Sequence, residues 1–520
     1  MTEKKEIRDS HAKKYHAGEK LISNTTFLFI NWFTGSLFAF IFWVILGKTL
    51  NPSGVGVIST LNNFVIIVSS LSTLGIVRAL NKLIPETNKK EGVRSVYSLI
   101  NLSLKPILIS LISIFFVFLI FSNQISSFLK VPYYAFLISI FSLMALSIWD
   151  FLLTVPYGLQ NMKRMFISDF FQMSIRLLLT GVLIFFGLSY FGPLTAFFMG
   201  YLISSLYLFN INYIKKTEST FTYKQLFDYA FPALLAFFAT SLITNGQYII
   251  LTILKNTEVT GIFTIASTIT SVIAMITHTL VTALFPIISS LSVDKKRKKR
   301  RGYLIGLVLR YSLFLTIPIS VFTIIFAKHA IIFFSKTAFL PAEKYFLILV
   351  PASVFYGIGT LFLLNIYAVG KPKLFRNINL MIAFCFLALS LILINYFSAV
   401  GLSISFLIVM LLRFLLSLIS LKKYIKIDLF IKDISKVLFS SLIIMSILYF
   451  MRPFINSIIL LIITFIPISL LYLSLLLFTK FYRPEDIKIL RYFGKRIPIV
   501  GNYISSIADF VENFIKHFNN

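Results

Sequence analysis

Apolar residues run through this chain in long blocks, and short polar segments separate each block from the next. Fourteen such blocks begin near residues 21, 55, 95, 132, 165, 193, 228, 260, 303, 344, 373, 400, 434 and 455. A helix needs about 20 mostly apolar residues to cross a bilayer. The pattern therefore predicts an all-α polytopic membrane protein with about 14 transmembrane helices.

The first two blocks form a hairpin around a polar hinge, and this pattern returns later in the chain. Asn51 and Gly56 follow the first block, and Asn256 and Gly261 stand 205 positions further on, in a second apolar hairpin. A sequence repeat at this separation indicates duplicated lobes, which are a common architecture of transporters. We therefore expect two pseudo-repeated six-helix lobes around a central cavity, followed by two extra C-terminal spans.

Loop positions and charge runs divide the chain into six predicted parts. The first six apolar blocks end before a polar linker, and a second basic, amphipathic linker precedes the last two spans. The parts are a cytoplasmic N-terminal tail (1–20), an N-lobe (21–214), a cytoplasmic linker (215–225), a C-lobe (226–421), the last two spans with their linker (422–480) and a cytoplasmic amphipathic tail (481–520).

Composition agrees with a membrane protein, and the charges predict its orientation. Hydrophobic residues make up 58% of the 520 residues and charged residues 13%, whereas soluble domains carry roughly 25% charged residues. Of the 49 Lys and Arg residues, 38 lie in the predicted inner segments and seven in the outer ones. By the positive-inside rule, both termini are expected in the cytoplasm of a multi-pass cell-membrane protein. The net charge of +30 thus reflects inner loops such as 295–301, and nucleic acid is not an expected partner.

The predicted outer loops are too short and too poor in acids to suggest an enzyme. Glu258 and Glu343 are the acids on that side, and they belong to different loops. Sugar chemistry by general acid and base catalysis needs two groups placed around one bond. We therefore expect no enzyme activity, no cofactor and no metal site.

Charged residues inside the spans are the strongest candidates for function, because a charge at a span centre costs about 2.5–3.5 kcal/mol. The cations are Lys105, Arg176, Arg310 and Arg413, and the acids are Asp150 and Asp169. On the fifth span, Asp169, Gln172 and Arg176 are spaced i, i+3, i+7, so they share one helical face that should not contact lipid. Further polar candidates are Asn31, Asn62, Asn63, Asn245, Gln247, His278 and Asn365.

Each of these residues also has a structural interpretation. Asp150, Asp169 and Arg310 lie about two turns from an inner span end, so they could be interfacial or could snorkel. A single amide or imidazole often bonds only a neighbouring helix. The excess of cations over acids nevertheless favours an anionic cargo, since guanidinium groups bind phosphate well.

Several segments resemble one known family of membrane proteins. They are LGKTLNPSGVGV (46–57), GIVRALNKLIPE (75–86), VPYGLQNMKRM (155–165), NGQYIILTILKNTEVTGIFTIA (245–266) and NIYAVGKPKLFRNINL (365–380). In order and spacing they are similar to the polysaccharide-biosynthesis flippases. The superfamily of these flippases also contains the multidrug and toxin extrusion exporters and the lipid II flippases.

This resemblance implies two six-span lobes that work by alternating access on a lipid-linked oligosaccharide. The implied direction is from the inner to the outer leaflet, and the expected partners are the cargo, membrane lipids and polysaccharide-assembly enzymes, with H⁺ or Na⁺ as a candidate coupling ion. One departure is that many relatives have Asp where this chain has Gln247. The alternative hypothesis is a cation-coupled exporter of small molecules from the same superfamily, which would depend on Asp150 or Asp169 in place of the arginines.

Overall fold

The chain is almost entirely helical where the computed structural model describes it, at residues 27–28, 30–31, 33–213, 221–290, 298–455, 457–483, 486–487, 491, 506, 509 and 512. The predicted N-terminal tail, residues 215–220 of the linker, the basic run at 295–297 and most of the C-terminal tail lie outside these ranges. The helices are α1 (Phe33–Thr49), α2 (Pro52–Ser72), α3 (Ile76–Glu91), α4 (Val93–Ile120), α5 (Ser122–Phe128), α6 (Tyr133–Gly158), α7 (Met162–Phe185), α8 (Phe191–Leu208), α9 (Tyr223–Thr244), α10 (Gly246–Leu254), α11 (Thr257–Ser290), α12 (Lys298–Ile325), α13 (Ala327–Phe334), α14 (Ala342–Ala368), α15 (Pro372–Lys422), α16 (Ile431–Met451) and α17 (Ile458–Phe478).

The two asparagines of the sequence repeat occupy the same place in the fold. Asn51 precedes α2 and its side-chain oxygen accepts a hydrogen bond from Gly54 N at 2.8 Å. Asn256 precedes α11 and accepts from Val259 N at 2.9 Å. Each side chain therefore satisfies a backbone N–H that the first helical turn leaves open. The 205-residue register is thus present in the structure as a pair of equivalent helix starts.

Among the described residues, twelve helices are long and apolar enough to cross a membrane, and α1 is a shorter apolar helix. The longest, α15, has 51 residues and a bend at Ser398, where φ is 54° and ψ is −135°. A straight helix of that length would measure about 75 Å, more than twice the thickness of a hydrocarbon core. The chain reverses here, since a Cβ on Gly401 would lie 2.0 Å from Leu393 O. The multi-span all-α fold is confirmed, and the count of 14 spans stays a prediction.

The helices pack as two groups with an appended pair. Helices α2, α6, α7 and α8 contact one another in the first group, and α11, α14 and α15 do so in the second. One apolar core runs through both groups, and a separate core joins α12 to α16 and α17. The long contact between α2 and α11 joins the groups at the centre of the molecule. The two lobes of the predicted fold are therefore joined chiefly by the two helices that carry the sequence repeat.

Candidate functional site

A cavity of about 500 Å³ lies between the two groups of helices, bounded by α1, α2, α10, α11 and α14. Its polar lining consists of amides, hydroxyls and one imidazole, from Ser36, Asn62, Asn63, Asn245, Ser267, Thr268, Ser271 and His278. Its aromatic lining consists of Phe40, Trp43, Tyr248 and Tyr356. Uncharged hydrogen-bonding groups beside aromatic faces suit a ligand with many hydroxyl groups. We call this space the central cavity.

Some of the polar groups in the central cavity are already held by neighbours, and one is available. Tyr248 Oη and Ser267 Oγ are 2.9 Å apart, and Asn63 Nδ2 donates to the carbonyl of Ser59 at 2.7 Å. Asn245 Nδ2 donates to Ser241 Oγ at 3.0 Å. The half-buried Asn62 makes no hydrogen bond to another described residue, so its amide is free to bind a ligand.

Arg413 of α15 stands directly behind one wall of the central cavity. Its guanidinium carbon lies 5.1 Å from the ring centre of Tyr356, and it interacts electrostatically with His278. The side chain is 5% exposed, and no carboxylate in the described parts of the chain pairs with it. Its Nε and Nη1 atoms have no hydrogen-bond partner in the part of the chain that the structure describes. A buried cation without a counter-ion is costly, so an anionic ligand at this wall would be stabilised.

Arg176 of α7 lies between aromatic rings of two neighbouring helices. Its guanidinium carbon is 4.6 Å from the ring centre of Phe42 and 5.1 Å from that of Phe197. Among the described residues, its Nε has no hydrogen-bond partner and no acid forms an ion pair with it. Arg176 does not line the central cavity, whose nearest wall is formed by Trp43, the neighbour of Phe42. The two arginines thus lie in different groups of helices, with α1 between Arg176 and the cavity.

The polar face that the sequence predicts on the fifth span is turned into the protein. Asp169 and Gln172 are 6% and 3% exposed, and Asn31 Nδ2 donates to Asp169 Oδ2 at 2.6 Å. The other Asp169 oxygen and Gln172 Nε2 have no hydrogen-bond partner among the described residues. Asp150 of α6 is half-buried and interacts electrostatically with Asp169. Two acids and two amides therefore gather between α1, α6 and α7, away from the central cavity.

Arg310 does not reach the central cavity, because two carboxylates take up its hydrogen-bonding groups. Its Nε lies 2.9 Å from Asp433 Oδ2, and its two terminal nitrogens donate to the Asp486 carboxylate at 2.8 Å each. Nη2 also donates to the carbonyl of Phe481 at 2.7 Å. With its donors directed at these carboxylates, Arg310 is not placed to bind an anionic cargo in the central cavity. The residue instead joins α12 to α16 and to the segment after α17.

Lys105 and Gln247 also lie outside the central cavity. Lys105 is exposed and shares one face of α4 with the exposed residues Leu108, Ile109 and Ile112, which places it on the side turned to lipid. Gln247 is 7% exposed, and its Nε2 donates to the carbonyl of Thr244 at 2.9 Å. The helix of Lys105 is apolar all round, so its sequence gave no sign of which face would meet lipid.

Helices α2 and α11 close the predicted outer side of the central cavity with a ladder of hydroxyl groups. Ser53 Oγ and Thr257 Oγ1 are 2.9 Å apart, and Thr264 Oγ1 donates to Ser59 Oγ at 2.8 Å. A further hydroxyl contact joins α2 to α10, where the side-chain oxygens of Thr60 and Thr252 are 2.6 Å apart. Each hydroxyl bond is weak enough to be exchanged for water. We call this contact the outer seal.

Three lysines of the predicted outer loops add hydrogen bonds around the edge of the outer seal. Lys48 Nζ donates to the carbonyl of Ile332 at 2.6 Å, and Lys336 Nζ donates to that of Thr49 at 2.7 Å. Lys130 Nζ donates to the carbonyl of Lys255 at 2.8 Å. Each bond joins one group of helices to the other. Three of the seven cations on this side therefore help to hold the two groups together.

An apolar groove of about 530 Å³ lies on the far side of the cavity wall, between α12, α14, α15 and α16. Helix α14 presents Tyr356 to the central cavity and Phe355 to the groove. Helix α15 likewise places Phe414 in the groove, next in sequence to Arg413. Helices α14 and α15 thus separate the polar central cavity from the apolar groove. The buried Arg413 lies between these two spaces.

The sequence indicated the amides and the imidazole that line the central cavity, but it missed the hydroxyl and aromatic lining and, outside the cavity, the acidic partners of Arg310. Trp43 and Tyr356 stood in long apolar blocks, where an aromatic residue does not distinguish a cavity wall from a core. Asp433 and Asp486 stood among lysines and arginines near span ends. The signal that could have found them is the presence of a buried arginine on α12, which requires carboxylates from somewhere in the chain.

Comparisons with solved structures agree on the fold. The lipid II flippase MurJ in an inward closed conformation matches with a TM-score of 0.71 and 16% identity, over 86% of this chain and 97% of that one. An inward-facing multidrug resistance MATE family transporter of the MOP superfamily gives 0.64 and 13%, over 75% and 96%. A MOP superfamily transporter from Pyrococcus furiosus gives 0.57 and 12%, over 77% and 96%. At these identities the likeness shows a shared fold.

The sequence comparison identifies the family. No curated protein matches the chain. The profile of the family described as "Polysaccharide biosynthesis protein" matches residues 21–292, which is more than half of the 520 residues. Together with the superfamily fold, this match confirms the resemblance seen in the hinge and loop segments. The chain is a multi-pass membrane protein that belongs to the polysaccharide biosynthesis protein family, with the fold of the MurJ and MATE transporters.

Proposed function

We propose that this protein moves a polyprenyl-(di)phosphate-linked oligosaccharide from the inner to the outer leaflet of the cell membrane by alternating access. The observation that carries the proposal is the position of Arg413. Its guanidinium adjoins the central cavity through Tyr356, and the next residue, Phe414, lines the apolar groove. A lipid-linked sugar has the same three parts: a polar head, a phosphate and an apolar tail.

Each part of the cargo finds matching chemistry in this arrangement. The sugar hydroxyls form hydrogen bonds with Asn62, and the apolar face of a sugar ring stacks against Trp43 in the central cavity. The phosphate binds Arg413, which has unused N–H donors. The tail follows the groove between α12 and α16, whose lining includes the exposed Leu438 at its rim. Such a site binds its cargo without any covalent step, in keeping with a transporter.

Release to the outer leaflet requires the outer seal to open. The hydroxyl contacts between α2 and α11 would part while the inner ends of the two groups of helices come together. A membrane potential that is negative inside favours outward movement of an anionic head by about 2.3 kcal/mol per charge per 100 mV. This orientation, with both termini in the cytoplasm, follows from the 38 basic residues of the inner segments.

A specific observation supports the alternative, a cation-coupled exporter. Asp169, Asp150, Asn31 and Gln172 gather between α1, α6 and α7, and a buried carboxylate beside a second acid favours uptake of a proton or a cation. The same cluster could couple H⁺ or Na⁺ movement to a flippase. The two functions differ in cargo, so the cargo has to be tested directly.

The test is translocation of a fluorescent lipid-linked oligosaccharide in proteoliposomes, with quencher added on one side. Protein-dependent exchange between leaflets that requires Arg413 supports the flippase. Export of a soluble organic cation that requires Asp169, with no exchange of the lipid-linked sugar, would support the exporter instead. Supplying polysaccharide-assembly enzymes in the same vesicles tests whether they accelerate the exchange.

A further inference from the structure

A second polar cavity, of about 450 Å³, lies at the inner ends of the first group of helices. The start of α4, the end of α6 and the α6–α7 turn surround it, with contributions from Phe27 and Tyr213. It shares no lining residue with the central cavity. Its position at the ends of three predicted spans places it at the level of lipid headgroups. We call it the inner pocket.

The charged lining of the inner pocket is cationic. Lys163 and Arg164 line it, and none of its lining residues is an acid. Arg164 is held in place, because its backbone N–H donates to Asn161 Oδ1 at 3.1 Å and its Nη2 donates to the carbonyl of Leu208 at 3.1 Å. Lys163 is exposed, and no ion pair joins it to another described residue. Hydrogen bonds therefore fix the position of Arg164 in the pocket, whereas Lys163 can contact a ligand.

Apolar residues form one wall of the inner pocket. Val93 and Tyr97 of α4 face Val155 and Pro156 of α6, and the rings of Tyr97 and Tyr213 lie 5.8 Å apart. Inorganic phosphate has no apolar surface to bury against this wall, whereas the glycerol and upper acyl carbons of a phospholipid would be stabilised by burial there. The adjoining α3–α4 junction adds four exposed charged residues, which are the cations Lys89, Lys90 and Arg94 and the acid Glu91, for a net charge of +2. A cationic lip beside an apolar wall matches an anionic lipid at a membrane surface.

We propose that the inner pocket binds the phosphate headgroup of an anionic phospholipid from the inner leaflet, with Lys163 in direct contact. The upper part of one acyl chain packs against Val93 and Tyr97. Since the pocket is formed by α4, α6 and α7 together, an occupied pocket stabilises the inner half of the first group of helices. This proposal is independent of the cargo, because the lipid binds at different residues from those of the central cavity.

Native mass spectrometry of the purified protein with added phosphatidylglycerol tests the proposal, with phosphatidylcholine as the neutral reference. The variants are Lys163→Gln and, as a matched control, Lys373→Gln. Lys373 is also exposed and is also the second residue of its helix, α15, but it lines none of the cavities described above. We expect Lys163→Gln to weaken phosphatidylglycerol binding about fivefold, the factor for about 1 kcal/mol per basic residue. Lys373→Gln and Lys163→Arg should bind as the unchanged protein does.

Three results would overturn the proposal. Equal binding by the unchanged protein and Lys163→Gln would show that the pocket is not the site. An equal loss in Lys373→Gln would show a general effect of surface charge. Displacement of the bound lipid by inorganic phosphate at millimolar concentration would assign the pocket to free phosphate. A thermal-unfolding scan with each lipid checks that every variant is folded, and none of these measurements requires translocation.

Discussion

Gly56 of α2 and Gly261 of α11 lie in direct backbone contact where the two helices cross. A side chain at either position would collide with the other helix. A Cβ on Gly56 would lie 1.7 Å from Thr257 O, and one on Gly261 would lie 1.8 Å from Pro52 O. The two contacts are related by the same 205-residue offset as the sequence repeat. The outer seal is therefore a pseudo-symmetric crossing that glycine alone allows to close this tightly.

Gly56→Ala is expected to hold the outer seal open. The added methyl group forces α2 and α11 apart, and overpacking of this kind costs about 1–3 kcal/mol, which lowers the population of the closed state by about 5- to 150-fold. The measurement is the rate of disulfide formation between cysteines introduced at Ser53 and Thr257, in a background where Cys385 is replaced by alanine. Gly181→Ala is the control, since a Cβ there meets nothing within 4 Å. An unchanged rate in Gly56→Ala would mean that the crossing does not govern closure.

Arg413→Gln is expected to slow translocation of the lipid-linked sugar by about 10- to 100-fold. It removes charge-assisted hydrogen bonds to the cargo phosphate, which are worth about 1.5–3 kcal/mol. The assay is leaflet exchange in proteoliposomes, and Lys105→Gln is the control because Lys105 lies on the lipid-facing side of α4. Normal exchange by Arg413→Gln, or an equal loss in Lys105→Gln, would remove the phosphate role from Arg413.

Much of the architecture could be predicted from apolar blocks, because the bilayer sets the length of each span. The inward turn of Asp169 and Gln172 was also predictable, since three polar groups on one face exclude lipid. The partners of Arg310 were not predictable. Asp433 and Asp486 stand 123 and 176 positions away in the chain, and nothing local in the sequence connects them to α12.

The positions of the remaining site residues could not be predicted from the sequence for a related reason. A helix that is apolar on all sides carries no amphipathic signal to show which face meets a cavity. Lys105 and Arg413 were therefore equivalent in the sequence, and the structure places one towards lipid and the other beside Tyr356.

Filling the apolar groove should impair transport of long-chain cargo. Val354→Trp places an indole among the groove-lining residues of α14 without touching the central cavity. We expect slower exchange of a polyprenyl-linked sugar and unchanged binding of a water-soluble sugar phosphate, because only the tail uses the groove. The two are measured by leaflet exchange and by isothermal titration. Leu460→Trp, on the exposed face of α17, is the control. Normal exchange of the long-chain cargo in Val354→Trp would show that the tail lies elsewhere.

Acid should loosen the attachment of α16 and the segment after α17. Burial raises the pKa of Asp486, but hydrogen bonds from Arg310, Tyr311 and the Arg483 backbone outweigh it, so the pKa lies below the usual 3.8. A carboxylate with a lowered pKa stabilises the folded state fully above pH 3.8, and the stabilisation is lost as the pH falls through the lower value.

Thermal unfolding of Asp486→Asn should therefore be less sensitive to pH below about 4 than that of the unchanged protein, while at pH 7 the variant unfolds at a lower temperature. Asp228→Asn, at an exposed position of α9, is the control and should follow the unchanged protein. Identical pH profiles for all three proteins would show that the Arg310–Asp486 contact does not contribute to stability.

The most direct test of whether cargo leaves through the outer seal is leaflet exchange of a fluorescent polyprenyl-diphosphate oligosaccharide. The protein used is a variant whose outer seal can be locked. Cysteines replace Ser53 and Thr257, whose hydroxyl oxygens are 2.9 Å apart, and Cys385 is replaced by alanine. We expect exchange to stop when the disulfide forms and to return to its starting rate when a reductant opens it. Exchange that continues with the disulfide intact would contradict the claim that cargo leaves through the outer seal.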